Sequence, residues 1–128
     1  YYFYAPMAVS DAATAMALRG QPEVARAFGL IGSVTKAVAG VGAWEPEQST
    51  LYDATSEVER GEIGRAGVCA EVSGVLIDTR GEPAYLALTE RMIGITASQM
   101  RAVPSTCGMI FKRKFGAASP SRTRSRSA

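Results

Sequence analysis

Apolar positions along this chain recur at helical spacing in some stretches and as short continuous runs in others. Residues 1–5, Tyr-Tyr-Phe-Tyr-Ala, are rich in aromatics and stop at Pro6, which predicts a strand. Ser10 is expected to cap a helix reaching Leu18, with Asp11 near its positive end, Ala12, Ala15, Met16 and Leu18 on its apolar side, and Gly20 ending it. Pro22 suits the first turn of a second helix, in which Val24, Ala27, Phe28 and Ile31 keep a helical period. Residues 37–42, Ala-Val-Ala-Gly-Val-Gly, form an unbroken small and apolar run, the pattern of a strand buried on both faces. Gly40 and Gly42 within it mark the close approach of another backbone or of a ligand.

The second half continues the alternation. Between Ser56 and Arg65 the acids come early and the arginine late, as a helix dipole favours, and Ser56 with Glu59 fits a capping box. Gly67 is expected to end that helix. Residues 68–77 are rich in β-formers and predict one or two strands, followed by a turn at Asp78-Thr79-Arg80-Gly81. Thr96 is placed to cap a short helix, 97–102, closed by Pro104. Strands alternating with helices predict an α/β fold, a mostly parallel sheet with flanking helices. No internal repeat is visible.

Charge divides the chain in two. Residues 1–108 hold eight Lys and Arg against twelve Asp and Glu, a net of −4, whereas residues 109–128 hold six basic residues and no acid. The expected organisation is one folded domain over 1–108 and a basic Ser/Arg-rich tail over 109–128 that is too polar to order. Arg-Ser tracts contact nucleic-acid phosphates, but no aromatic platform accompanies this one, so an inert tail or a shifted reading frame is the preferred reading. Phe111 and Phe115, just before it, are expected to end a strand. The first ten residues are too few to cross a bilayer and lack a signal peptide's basic start, so no membrane contact and a cytoplasmic location are expected.

The chain has no histidine, which excludes triad chemistry and the commonest general base near neutral pH. Cys69 and Cys107 stand far apart without other soft ligands; two small buried thiols are expected, with no metal and no cofactor. In open parallel sheets ligands bind beyond the strands' carboxyl ends, which singles out two segments. The first is residues 42–52, where Gly42 opens the loop, Ser49, Thr50 and Tyr52 carry hydroxyls, and Trp44 either stacks on a sugar ring or covers the sheet edge. The second is Ala70-Glu71-Val72-Ser73-Gly74. An acid inside an apolar strand either pairs with a cation, Arg91 or Arg65, or faces a polar cavity, where a carboxylate grips two hydroxyls of a polyol.

The order of pieces from Val41 to Pro104 resembles the effector-binding domain of SorC-type sugar-responsive transcriptional regulators. The matching segments are Val41-Gly42-Ala43 for a "VGIGS" strand end, residues 66–74 for "GVVGEICG", Arg91-Met92-Ile93-Gly94-Ile95 for "DRVIGI", and the approach to Val103-Pro104 for "LRRIP". The resemblance covers about half of the chain. It implies a Rossmann-like sheet related to phosphosugar isomerases and a protein that responds to a ligand without turning it over. It further implies that Glu71 faces the bound sugar or sugar phosphate, with Ser73 and Gly74 offering backbone groups and the loop from Gly42 through Ser49 to Tyr52 lining the same pocket.

The sequence departs from the family pattern in several places. Ala70 stands where the family has glycine, and Cys107 to Phe111 stand where it has a Gly-Gly-x-x-Lys segment. No helix-turn-helix or Gly-rich phosphate loop precedes Tyr1, and the final helix and strand of the family's fold are missing, so the chain is read as truncated at both ends. The expected partners are a phosphorylated sugar or polyol, DNA only through the missing helix-turn-helix, and further copies of the chain in a homo-oligomer. An alternative is a fragment of a phosphosugar isomerase, with Glu71 as one half of an acid/base pair. A weaker one is a nucleic-acid adapter acting through the Arg-Ser tail.

Overall fold

The computed structural model describes residues 2–110, with side chains through residue 108. Helix α1 (Ala12–Arg19) is followed by α2 (Pro22–Gly29), a 3-10 turn (Leu30–Ser33) and strand β1 (Lys36–Ala43). Helices α3 (Thr50–Ala54) and α4 (Glu57–Arg65) lead to β2 (Val68–Val72) and β3 (Val75–Asp78). Short helices α5 (Ala87–Glu90) and α6 (Ala97–Ala102) precede β4 (Ser105–Ile110).

The strands form one sheet in the order β3-β2-β1-β4. Among neighbouring strands only β1 and β4 pair in parallel; β2 is antiparallel to both β1 and β3. The expected mostly parallel sheet is therefore a mixed one. The reason is local: β2 and β3 are joined by only Ser73 and Gly74, and a two-residue connection can make nothing but an antiparallel hairpin.

Capping follows side-chain chemistry closely. Asp11, rather than Ser10, is the N-cap of α1: its carboxylate accepts from the Thr14 N–H at 2.8 Å, and Ser10 donates to that carboxylate instead. A carboxylate reaches the free N–H groups with full charge, so it displaces the neighbouring hydroxyl. Ser49, Ser56 and Thr96 cap α3, α4 and α6. Gly67 follows the end of α4 with φ +85, and Gly81 closes its turn with φ +82.

That turn is tied by Asp78, whose carboxylate accepts from the Glu82 and Arg80 N–H groups and from the Arg80 guanidinium at 2.8 Å. The Glu82 N–H above all, and then the Arg80 side chain, hold the Asp78 carboxyl below its ordinary value of 3.8. A depressed carboxyl contributes stability above the unfolded value and loses it as pH falls through the folded one. Asp78→Asn should therefore flatten the acid limb of the stability profile below about pH 4, read from urea midpoints between pH 5 and 2.

Two clusters hold the fold. Trp44, Leu51, Ile63, Val68, Leu76, Leu88 and Met92 pack together on one side, and Ala15, Val24 and Ile93 form the other with Phe3, Leu18 and Phe28 around them. Arg91 links distant segments by donating to the Val9 carbonyl and pairing with Glu59.

Several expectations are corrected here. The described part of residues 1–5 is in no strand: Phe3 and Ala5 pack on the second cluster while Tyr2 and Tyr4 stay exposed. It keeps a strand's alternation without a neighbour to pair with. Met16 is exposed rather than on the apolar side of α1. Strand β1 is not buried on both faces, since Val38 is 71% exposed. Cys69 and Cys107 are exposed, not core thiols. Cys107 pairs in register with Val38 and so shares its uncovered face. Phe111, Phe115 and the tail lie outside the described residues, apart from the backbone of Met109 and Ile110 at the end of β4.

Candidate functional site

The β2–β3 turn is built from left-handed backbone. Ser73 has φ +46 and Gly74 φ +90, the paired positive angles of a two-residue hairpin whose twist matches its strands. Glu71 belongs to this turn. Its Oε2 accepts from the Gly74 N–H at 2.6 Å, and neither arginine considered for it is its partner. Arg91 pairs with Glu59, and the Nε of Arg65 donates to the Gly61 carbonyl at 3.2 Å. Ser73 is fixed across the sheet: its N–H donates to the Gly40 carbonyl at 2.9 Å, and its Oγ accepts from the Gly40 N–H at 3.2 Å. An added Cβ on Gly74 would stand 2.6 Å from the Met92 Cε, the movable end of a flexible side chain, so it is the backbone angle φ of +90 that calls for glycine there.

Ser73 and Gly74 open onto a cleft of about 390 Å³, counting its open mouth, formed with the loop from Met92 to Ala97 and the end of α1. Its polar groups are Ser73, Arg19, Tyr85, Thr89 and Thr96, and its floor is Val75, Met92 and Ile95. The Thr89 hydroxyl oxygen accepts from the Leu86 N–H, and Thr96 caps α6, so both are already engaged. Arg19 reaches in from α1, its Nη2 donating to the carbonyls of Met92 at 3.0 Å and Gly94 at 2.9 Å.

The other candidate segment lies elsewhere. Gly42 and Glu71 are register partners in neighbouring strands, but Gly42, Glu71, Ser49 and Tyr52 do not line the cleft. A Cβ on Gly42 would lie 2.4 Å from the Gln48 carbonyl oxygen, so the close approach read from this glycine is met by the chain itself. Ser49 is buried, its Oγ accepting from the Tyr52 N–H at 3.1 Å. Tyr52 packs edge-on against Trp44 with ring centroids 5.2 Å apart, and the Arg60 guanidinium lies 4.9 Å from its ring centre. Trp44 is 7% exposed in the first cluster, so its face is in the core rather than open to a sugar or spread over a sheet edge. Its Nε1–H is buried without a partner.

Arg19, Tyr85, Thr89 and Thr96 were not legible as cleft residues. Arg19 reads as an ordinary basic residue at a helix end, and only the fold brings it to residues 92–94. Among the described residues no three His, Cys, Asp or Glu side chains converge as metal ligands, and no helix is long and apolar enough to cross a membrane.

The fold, a mixed four-stranded sheet with flanking helices, is one shared with bacterial transcriptional regulators. A transcriptional regulator from Streptococcus pneumoniae TIGR4 superposes with a TM-score of 0.76 at 17% identity, over 84% of this chain and 42% of its own. A DeoR family transcriptional regulator from Listeria monocytogenes gives 0.74 at 18%, over 84% and 44%. The full-length sorbitol operon regulator SorC from Klebsiella pneumoniae gives 0.73 at 12%, over 80% and 34%. This chain thus spans about two fifths of the length of such regulators. No curated protein matches its sequence. The family described as "Putative sugar-binding domain" matches residues 1–114, and the chain belongs to that family.

Proposed function

We propose that this chain is the effector-binding part of a SorC-type transcriptional regulator and binds a sugar, sugar phosphate or polyol without transforming it. The observation that carries this reading is the sugar-binding family match over residues 1–114, supported by the fold shared with regulators. The Rossmann-like kinship with phosphosugar isomerases belongs to the same reading.

Ligand enters the cleft at the β2–β3 turn, where the Ser73 hydroxyl proton remains free to donate. Glu71 acts by holding the Gly74 N–H and so the shape of the turn. Gly42, Ser49 and Tyr52 set the loop behind the neighbouring strand end. Binding favours one arrangement of an oligomeric, cytoplasmic regulator by differential affinity, and a separate helix-turn-helix of that regulator contacts DNA.

An isomerase would need a positioned acid/base pair, and the described cleft lining contains no carboxylate. Titrating the chain with sugars, polyols and their phosphates should raise its melting temperature by roughly 5 °C or more at saturating ligand, with no product detectable by chromatography. Product formation would move the chain to the enzyme class, and an unmoved melting temperature across the whole series would remove the sensor reading.

A further inference from the structure

Arg19 is held unusually firmly for a surface cation. Its Nη2 uses both hydrogens on the carbonyls of Met92 and Gly94, and its guanidinium carbon lies 5.1 Å from the centre of the Phe28 ring. These contacts fix the plane of the group from an edge and a face. Its Nε and Nη1 hydrogens have no acceptor among the described residues. Nor does it form an ion pair there: the pairs are Arg80 with Asp78, Arg91 with Glu59, and Arg101 with Glu82. The remaining sequence, 111–128, contains no Asp or Glu to supply one.

The charge also faces a lining suited to anions. Beside Arg19 the cleft offers the hydroxyls of Ser73 and Tyr85 on an apolar floor, with Thr89 and Thr96 tied to their own segments and no carboxylate in the lining. A guanidinium whose orientation is set in advance loses little freedom on binding, and its planar fork matches the oxygens of phosphate or carboxylate. A cleft of one sign of charge with low-dielectric walls concentrates the opposite ion.

We propose that Arg19 makes this cleft an oxyanion subsite, anchoring the phosphate or carboxylate of the ligand while its hydroxyl-bearing part lies toward the Ser73–Gly74 turn. The identity of that second part rests on the effector reading above; the anion subsite does not. Phosphate esters and sugar acids present the same chemistry to Arg19, so both are tested.

The experiment follows amide NMR shifts of the full chain with inorganic phosphate, glucose 6-phosphate, gluconate and glucose, in wild type, Arg19→Met, Arg19→Lys and, as a control on the exposed face of α2, Arg26→Gln. The charged probes should shift the amides of residues 73–74 and 94–97 and weaken with salt. Their affinity should fall about tenfold in Arg19→Met, the loss of one charge-assisted hydrogen bond, recover largely in Arg19→Lys and stay unchanged in Arg26→Gln.

Charged probes that bind Arg19→Met as tightly as wild type, or that leave those amides unmoved, would overturn the subsite. Should Arg19→Met fail to fold, Arg19→Lys and the salt dependence decide: phosphate binding indifferent to both overturns it. Glucose binding there as tightly as its charged derivatives would sink the subsite and leave the effector reading standing. Inorganic phosphate bound through Arg19 with no sugar binding at all would do the reverse. Preference for glucose 6-phosphate over gluconate, or the opposite, identifies which oxyanion the site takes, and either supports it.

Discussion

Replacing Gly42 by valine is expected to lower stability by about 3 kcal/mol or more, the upper range for forcing volume into a packed site. The side chain would begin with a Cβ 2.4 Å from the Gln48 carbonyl oxygen and 3.3 Å from the Ser49 Cα. Those are main-chain atoms, so no rotamer change relieves the overlap. The loop is also pinned behind them, by the Gln48 N–H donating to the Glu45 carbonyl and by Ser49 capping α3. Either β1 shifts, disturbing its register with β2 at Glu71, or the loop lifts and exposes Trp44 and Leu51. Gly40→Ala is the matched control, because a Cβ there meets nothing within 4 Å; its change should stay within about 0.5 kcal/mol. Urea unfolding of both variants decides the matter. A Gly42→Val protein as stable as wild type would show that the loop gives way and that glycine stands there for another reason.

The second large effect is expected for Leu76→Ala, at about 2–5 kcal/mol. Leu76 is 1% exposed on β3, in register with Glu71, and packs in the cluster with Trp44, Ile63 and Met92. Deleting its branched end removes contacts and leaves a void in a cluster drawn from α3, α4, β2 and α5, which cannot all close in. Because β3 carries one end of the turn, Gly74 and the Met92 Cε beneath it should lose their fixed spacing, so ligand binding at the cleft should weaken along with stability. Val38→Ala, on the exposed side of β1, should change stability by no more than about 0.5 kcal/mol. Denaturation midpoints compared with binding curves test both halves, and a stable Leu76→Ala would contradict the assigned core.

The local features were written plainly in the chain. Pro22, Gly67, Asp78 with Gly81, and the Ser56 and Thr96 caps act through their own backbone, so short-range chemistry suffices to place them. The family was legible too, because its motifs recur in order from Val41 to Pro104. What failed depended on distant neighbours. Residues 1–5 have strand-like alternation in sequence, yet residues 2–5 find no partner strand among the described residues, and the direction of β2 turned on whether Ser73-Gly74 was a tight turn or part of one strand. An in-strand acid at Glu71 signalled a polar role, but only the fold shows that its oxygen is taken by Gly74 three residues on. Arg19 carried no signal at all, since the carbonyls that orient it come from residues 92 and 94.

The Ser73–Gly74 turn has one more consequence. Its main-chain donors are already engaged, by Gly40 and by Glu71, and the positive φ at position 74 favours glycine there. Mutation of Gly74 therefore disturbs the hairpin before it can retune recognition. Drift toward a new guest must instead run through the opposite wall, where Tyr85 is mostly solvent-facing and Ile95 only half covered, and where exchanges leave the strands intact. Relatives adapted to different molecules should thus differ first at those wall positions while keeping glycine at position 74.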